Sequence, residues 1–553
     1  MPDSVRVIPL GGVGEVGKNM LAVEYGNEIL LLDCGLAFPE EDMLGVDLLI
    51  PDIQYLLKSR KRIVAYCISH GHEDHIGALP YILRDIDAPI YATPLTRGLI
   101  EVKLKEANLL QSARLRTYKD GDVVKIGKFT VEPFHVTHSI PDAVGLAITC
   151  PVGTIVYTGD FKFDPTPVDG KQANYGLIAQ IGRRGVLTLL SDCVHVETKG
   201  HTPSEQVVGD TFRRVFAEAK GRIIIATFAS LIARVQQIIN VAAEYGRKVA
   251  VVGRSLENNV AMARELGYLD PKDGTLVPLH QLRKEDADRS VLIVTGSQGE
   301  PTSVLNRIAN QDYRHVKIVP GDTVIISATP IPGNETAVSR IINNLFALGA
   351  DVIYSAIDTV HVSGHASSEE LRLMLNLVRP KYVVPVHGEM RHLVMYKRLA
   401  MSVGIPEDHI LIPENGAIME FSKEQARIVE VYPNNMVYVD GISVGDVDHV
   451  VLRDRKLLSR DGMVIVVVGI DRNDGSILAG PDIISRGFLY AGEDDNLLEE
   501  AKELVSNSIR HQEESPPPPE WSWAHRKIKD ILGEFLYKRT GRRPMILPVV
   551  MEI

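Results

Sequence analysis

Within six residues, His70-Gly-His72-Glu-Asp74-His75, the chain places three imidazoles and a carboxylate. Imidazole nitrogen and carboxylate oxygen are the donors that zinc and other borderline divalent cations prefer. The apolar run Ile63–Ile68 before them reads as a buried strand and Ile76–Leu83 after them as a helix, so the motif is expected on a strand-to-helix loop. An extended loop points His70 and His72 one way and Asp74 and His75 another, and one short segment then serves two adjacent cations. A helix-capping Asp74 beside surface histidines is the plain alternative, and four ligand types at this spacing argue against it.

A two-cation site needs further ligands, and the candidates stand at the C-terminal ends of apolar strands. Asp160 follows Thr154–Thr158, and its two oxygens suit a bridge between cations. His138 stands in the turn Thr-His-Ser-Ile-Pro-Asp142, just after a strand carrying His135. Either histidine is a possible ligand, and the turn position favours His138. His387 ends the strand Tyr382–Val386. Asp33 closes Ile-Leu-Leu-Leu-Asp and reads as an acceptor that orients a ligating histidine. His365, in His361-Val-Ser-Gly-His-Ala-Ser367, differs from these. Its small neighbours leave backbone amides open to an anion, which suits phosphate contact or proton transfer better than metal binding.

These residues need a large scaffold. At 553 residues the chain exceeds one hydrophobic core, and about three domains are expected. Hydrophobic content of 45% and charged content of 24% are those of a globular protein. No apolar run is long enough to span a bilayer, and the first residues lack the pattern of a secretion signal, so a cytoplasmic, membrane-free protein is expected. Cys34, Cys67, Cys150 and Cys193 form no Cys-x-x-Cys pair and read as buried thiols. A net charge of −11 argues against a nucleic-acid coat protein but not against an enzyme on nucleic acid, because bound cations reverse the local field.

The first part alternates strands and turns. Gly12-Val-Gly-Glu-Val-Gly17 spells a dinucleotide fingerprint, but a strand follows where a helix should open, so it reads as a β-turn. From about Pro203 the texture becomes βα alternation, with Ser204–Ala219 a helix bearing a capping signal at its start and a parallel sheet expected. Histidine-bearing strand and loop return after Asp351. A last unit runs from Val464, interrupted by Pro516–Pro519, which read as a stiff exposed connection. The expected division is 1–203 and 356–450 for one split domain, 204–355 for its insertion, and 451–553 for a linker and C-terminal domain.

The His-x-His-x-Asp-His run with Asp33, His138 and Asp160 resembles the metallo-β-lactamase superfamily. The βα unit resembles the β-CASP insertion of its nucleic-acid-processing branch, and Asp192, His365 and His387 match the three motif positions of that branch. Gly-Gly-Val-Gly-Glu-Val-Gly-Lys-Asn19, Thr-Gly-Ser-Gln-Gly-Glu-Pro301, Pro-Ile-Pro-Gly-Asn-Glu335 and Val-Asp-Gly-Ile-Ser-Val-Gly-Asp446 resemble bacterial ribonuclease J, over essentially the whole chain. Two stretches depart from that pattern. Ser191-Asp-Cys-Val-His195 lacks the common Ser-Thr-Asn, and Leu231 and Ala233 stand where relatives often carry polar residues, while Ser230 and Arg234 remain.

The resemblance implies an α/β fold: a metallo-β-lactamase αββα sandwich, an inserted β-CASP α/β domain and a small C-terminal α+β domain. It implies two divalent cations per subunit, zinc or alternatively manganese. His70, His72 and His138 would hold one, Asp74, His75 and His387 the other, with Asp160 bridging. His365, with Asp192, would serve transition state or leaving group, and Asp74 counts among the catalytic residues. Ser230, His361, Val362, Ser363, Gly364, His365 and Ser367 would contact substrate. The implied activity is hydrolysis of single-stranded RNA, internally and from a 5′-monophosphorylated end, by a homodimer assembled through its C-terminal domain. A β-CASP nuclease acting on DNA, a small-molecule metallo-hydrolase and a non-catalytic RNA-binding scaffold are the competing expectations.

Overall fold

The computed structural model describes residues 3–40, 42–282, 288–331, 333–441, 443–471, 476–489, 495–510 and 522–553. The proline run 516–519 lies outside these. The chain divides into two compact units, residues 3–38 with 48–437, and residues 39–47 with 438–553.

In the first unit, two sheets face each other. Among the described residues one has eight strands, in the order Ala426–Val431, Ala417–Phe421, Val5–Gly11, Met20–Tyr25, Glu28–Leu32, Arg62–Cys67, Ile90–Ala92 and Leu115–Thr117. The other has six, in the order Pro380–Val386, Val186–Asp192, Gly153–Tyr157, Val144–Cys150, Phe129–His135 and Val124–Ile126. Val7, Val23, Leu30 and Leu32 of the first meet Phe129, Val131, Leu146, Ile148, Val156 and Leu189 of the second in one core. Met20–Tyr25 and Glu28–Leu32 are buried along their whole length, so they read as unbroken apolar runs. Helices such as Pro94–Glu106 and Met390–Ser402 cover the outer faces. No helix opens after Gly12–Gly17; the next long element is the strand Met20–Tyr25.

Between the strands Val186–Asp192 and Pro380–Val386 the chain leaves the sandwich to build the inserted layer. This is a parallel sheet in the order Lys248–Val252, Ser290–Val294, Ile223–Ala226, Thr323–Ile326 and Asp351–Ile353. Its strands are Val- and Ile-rich and covered by helices, including Ile232–Glu244, Arg254–Glu265 and Glu335–Ala347.

In the second unit Met463–Ile470 lies between Ile477–Arg486, antiparallel, and Met545–Glu552, parallel. The helices Asp495–Arg510 and Ser522–Thr540 cover one face, burying Val464, Val466, Val505, Ile528 and Leu532. The other face carries exposed Ile484, Leu547, Val549 and Met551.

Three local readings change. Ile76–Leu83 is not one helix but two turns, Glu73–Ile76 and Leu79–Ile82, separated at Gly77. Asp74 and His75 therefore sit inside the first helical turn rather than on a loop, with His72 as its N-cap residue. The helix expected to start at Ser204 runs Gln206–Glu218 with Glu205 as its N-cap residue; the Glu205 carboxylate is drawn into an ion pair with Arg234, while Ser204 Oγ accepts Gln206 N–H at 3.2 Å.

Candidate metal centre

The strand Arg62–Cys67 delivers the segment Ile68–His72 to the edge of the sandwich, and the turn Glu73–Ile76 reverses it. This puts two sets of candidate ligands back to back. In the first set His70 Nε2 lies 3.1 Å from His72 Nδ1, and His138 Nε2 lies 3.1 Å from the same atom. Three nitrogens converge where at most one N–H can serve each facing pair, an arrangement that hydrogen bonding alone does not satisfy. Ligands 2.0–2.1 Å from a tetrahedral cation stand about 3.3 Å apart, so the spacing fits one. His135, the rival to His138, turns away and faces the carbonyls of Ala143 and Lys171.

In the second set His75 Nε2 lies 3.5 Å from Asp74 Oδ2, and His387 Nε2 lies 3.4 Å from the same oxygen. Asp160 stands between the sets. Its Oδ2 is 3.6 Å from His70 Nε2, 3.8 Å from His138 Nε2 and 3.2 Å from His75 Nε2, while Oδ1 is 2.7 Å from His387 Nδ1. The ligand atoms of each set, with Asp160, lie within 4.8 Å of one another. Asp160 and His70 are buried, and so are His75 and His387.

The protein orients these rings from behind. Asp33 Oδ2 is 2.7 Å from His75 Nδ1 and accepts from Tyr157 Oη at 2.7 Å and Ser69 Oγ at 2.8 Å. His387 is held in a left-handed conformation, φ 51°, with its N–H donated to Gly12 O at 2.7 Å. Cys193, in the stretch that lacks Ser-Thr-Asn, gives its thiol to Val386 O at 3.2 Å and so braces the end of that strand. All four cysteines are buried and free.

Electrostatics divides the two sets. Burial pushes His70 and His138 well below the ordinary histidine range and His72 to about 4, which leaves their lone pairs free. Burial also pulls at His75 and His387, but Asp160 and Asp74 outweigh it, raising His75 well above its usual range and His387 to about 10. Burial disfavours a charged Asp160, yet the imidazoles of His387, His75 and His365 hold it well below the carboxylate range. Asp74, His75, His387 and Asp160 would hold a dication there in place of those protons.

Beside the ligands, His365 Nδ1 bonds Asp192 Oδ2 at 2.8 Å, and Asp192 Oδ1 also accepts Val194 N–H at 3.0 Å. Burial opposes a charged His365, but the Asp192 carboxylate raises it above the ordinary range. The loop His361–Ser367 is tied to the first set, for Gly364 O is 2.7 Å from His138 Nδ1. A methyl on Gly364 would fall 2.5 Å from His138 Cε1, so only glycine fits there. Ser363 Oγ accepts His365 N–H at 3.1 Å, Val362 is buried, and Ser230 is half-buried at the turn before Ile232–Glu244. Ser367 is fully buried at the start of the helix Ser368–Val378, and its hydroxyl meets Thr202 Oγ1 at 2.8 Å. It shapes the loop and is not offered to a ligand. Arg234 is likewise spent inside the fold, on Glu205, Ser327 and Val360 O.

Several residues of this network were not singled out from the sequence. Lys162 and Glu370 are buried beside Glu205 and His361, and no local pattern marks residues that meet only across the chain.

The model of the metallo-β-lactamase superfamily matches residues 13–215, that of the ribonuclease J β-CASP domain 220–345, and that of the Zn-dependent metallo-hydrolase RNA specificity domain 349–413. The ribonuclease J C-terminal domain matches 450–553. Ribonuclease J of Thermus thermophilus is 45% identical, covering 100% of this chain and 96% of its own. The chain belongs to the ribonuclease J family. Ribonuclease J 1 of Streptococcus pyogenes is 43% identical and Ribonuclease J2 of Bacillus subtilis 42%, each over 100% of this chain and 98% and 99% of theirs. A solved Enterococcus faecalis protein of unknown function shares the fold, with TM-score 0.54, 18% identity, and coverage of 75% of this chain and 99% of its own. The ribonuclease J match thus spans the sandwich, the insertion and the C-terminal unit. The donor set is that of a divalent-metal site. Among the described residues no helix is long and apolar enough to cross a membrane.

Proposed function

We propose that the chain is a metal-dependent ribonuclease that hydrolyses RNA phosphodiesters both internally and processively from a 5′ end. Two divalent cations are assigned per subunit, zinc before manganese on donor chemistry, with His70, His72 and His138 at one, Asp74, His75 and His387 at the other, and Asp160 between. The observation that carries the reading is Asp160 Oδ2, within 3.2 to 3.8 Å of nitrogens from both sets. When bound, the pair supplies Lewis acidity, which lowers the pKa of water and offsets charge developing at phosphorus.

The remaining chemistry falls to the chain's own residues. Asp192 fixes the Nδ1 side of His365 and favours its charged form, leaving Nε2 to donate a proton to the departing oxygen. His361, Val362, Ser363, Gly364 and Ser230 form the proposed grip on substrate phosphates, by hydroxyl and backbone donors without fixed charge. Such a grip selects a 5′-monophosphate over the bulkier triphosphate. Catalysis is assigned to residues 1–203 and 356–450 with the insertion 204–355. Assembly into a homodimer is assigned to 451–553, whose sheet exposes Ile484, Leu547, Val549 and Met551 on one face. A cytoplasmic location completes the reading.

Matched RNA and DNA strands, each with a 5′-monophosphate, test it. RNA is expected to be degraded and DNA spared; faster turnover of DNA would transfer the assignment to a DNA nuclease.

A further inference from the structure

The ligands of the two cation sets are held for the most part by different segments, although His70 Nδ1 meets Ser69 Oγ, itself bonded to Asp33, at 3.0 Å. Those of the second set are fixed from within the sandwich. Asp33 backs His75, Gly12 holds His387, and Asn19 Nδ2 reaches His75 Nε2 at 3.1 Å and Asp74 Oδ2 at 3.4 Å. Those of the first set lie on two segments, Ile68–His72 and Val136–Asp142, and both are gripped by the helix Pro94–Glu106. Leu99 of that helix and Ile140 of the turn pack over Gly71, between His70 and His72. At the start of the helix, Leu95 N–H donates to Asp142 Oδ2 at 3.3 Å and Thr93 Oγ1 to Asp142 O at 2.9 Å. Asp142 ends the turn that carries His138, and it sits at φ 66°, a backbone conformation an aspartate keeps only when its surroundings hold it.

The insertion reaches the same place. Tyr268 Oη donates to Asp142 Oδ2 at 2.5 Å, a short charge-assisted bond, with Lys171 Nζ over its ring at 5.7 Å. Met262 and Leu266, six and two residues before it, press on Gly98, where a methyl would come within 2.5 Å of Met262 Sδ and 2.8 Å of Leu266 Cδ1. The next residue along the helix is Leu99. From this helix to the second set runs a salt bridge between Lys103 and Glu73, an exposed pair of the kind that contributes little.

We propose that Tyr268 is a positioning residue through which the β-CASP insertion braces the ligands of the first cation site, His70, His72 and His138, and not those of the second. The position of the insertion and the strength of one of the two cation sites are then linked, by a hydroxyl that touches neither cation nor substrate. The inference rests on the two-site assignment above.

Release of zinc from the full-length, zinc-loaded protein to a chromogenic chelator tests it. The unmutated protein should release two zinc ions in two phases, identified by which phase is lost in His138→Ala and which in His387→Ala. Tyr268→Phe keeps the ring and removes the hydroxyl. It should speed the His138 phase by about tenfold, at the low end of what outer partners of metal ligands contribute, and leave the other phase within about twofold. Asp142→Asn combined with Tyr268→Phe should release zinc no faster than Asp142→Asn alone, since the bond is already weakened. Asn258→Ala, which breaks the bond to Glu106 elsewhere on the same interface, should change neither phase. Activity of Tyr268→Phe at limiting zinc should be low and restored by raising free zinc, which a general loss of packing would not allow. Equal acceleration of both phases, or of neither, overturns the inference and leaves the two-site reading standing. A single zinc in the unmutated protein overturns both.

Discussion

Asp33 shows how one buried carboxylate can govern a ligand it does not share. It takes three hydrogen bonds and faces His75 Nδ1, which aims Nε2 at Asp160 and Asp74. Asp33→Ala should cost about 10- to 100-fold in metal affinity while the protein stays folded, measured by competition with a zinc chelator. Asp160→Ala removes the group nearest both sets, and cleavage should fall by at least about 100-fold together with bound metal; near-normal turnover would end the bridging assignment. His361 offers a test of pH. Burial and then Arg234 hold it to about 4, below the ordinary histidine value, so it stays neutral while its unfolded counterpart protonates. The unfolded state therefore binds more protons below about pH 6.5, and stability falls as pH drops from there toward 4. The loss reaches at most about 3 kcal/mol, reduced by partial exposure of the ring. Urea midpoints at pH 7 and pH 5 should differ less in His361→Asn than in the unmutated protein, and equal differences would mean the ring is solvated.

At the scale of elements, what the sequence made legible was the strand end. Asp160, His387 and the His70–His75 run each follow an apolar strand, and the sheet order brings these ends to one edge. The helix Tyr175–Arg184 is not legible because Gly176 and Gly182 dilute its pattern, nor is the strand Ile477–Arg486, because Gly480-Pro481 interrupts it. The loop His361–Ser367 was only half legible. The small residues around Gly364 read as amides open to an anion, whereas Gly364 is small because the His138 ring lies against it, and nothing marked Ser367 as buried. Least legible was the buried pair Arg234–Glu205, 29 positions apart, which ties the insertion's first helices together. Arg234→Met leaves the buried Glu205 carboxylate with only Lys162, 3.9 Å away, to face it, and a loss of up to about 3–5 kcal/mol is expected from denaturant unfolding. A loss below about 1 kcal/mol would mean that water reaches Glu205.

Taken whole, the molecule keeps all the proposed ligands in one compact unit and the apolar sheet face of residues 463–553 in the other. A chain ended before Asp448, the N-cap residue of the helix His449–Asp461, should therefore fold, bind zinc at both sets and lose its dimer, as read by light scattering and metal content. An unchanged dimer would move the interface into the catalytic unit. On the proposed function these residues make a nuclease that degrades RNA from a monophosphorylated 5′ end. Its most direct test is digestion of one RNA, labelled at either end and carrying a 5′-monophosphate or a 5′-triphosphate, by the zinc- or manganese-loaded protein and by His72→Ala. Mononucleotides should come from the monophosphorylated end, more slowly from the triphosphorylated one, with internal cuts indifferent to the end and nothing cut by the variant. Intact RNA with both metals, or equal cleavage by His72→Ala, would contradict it.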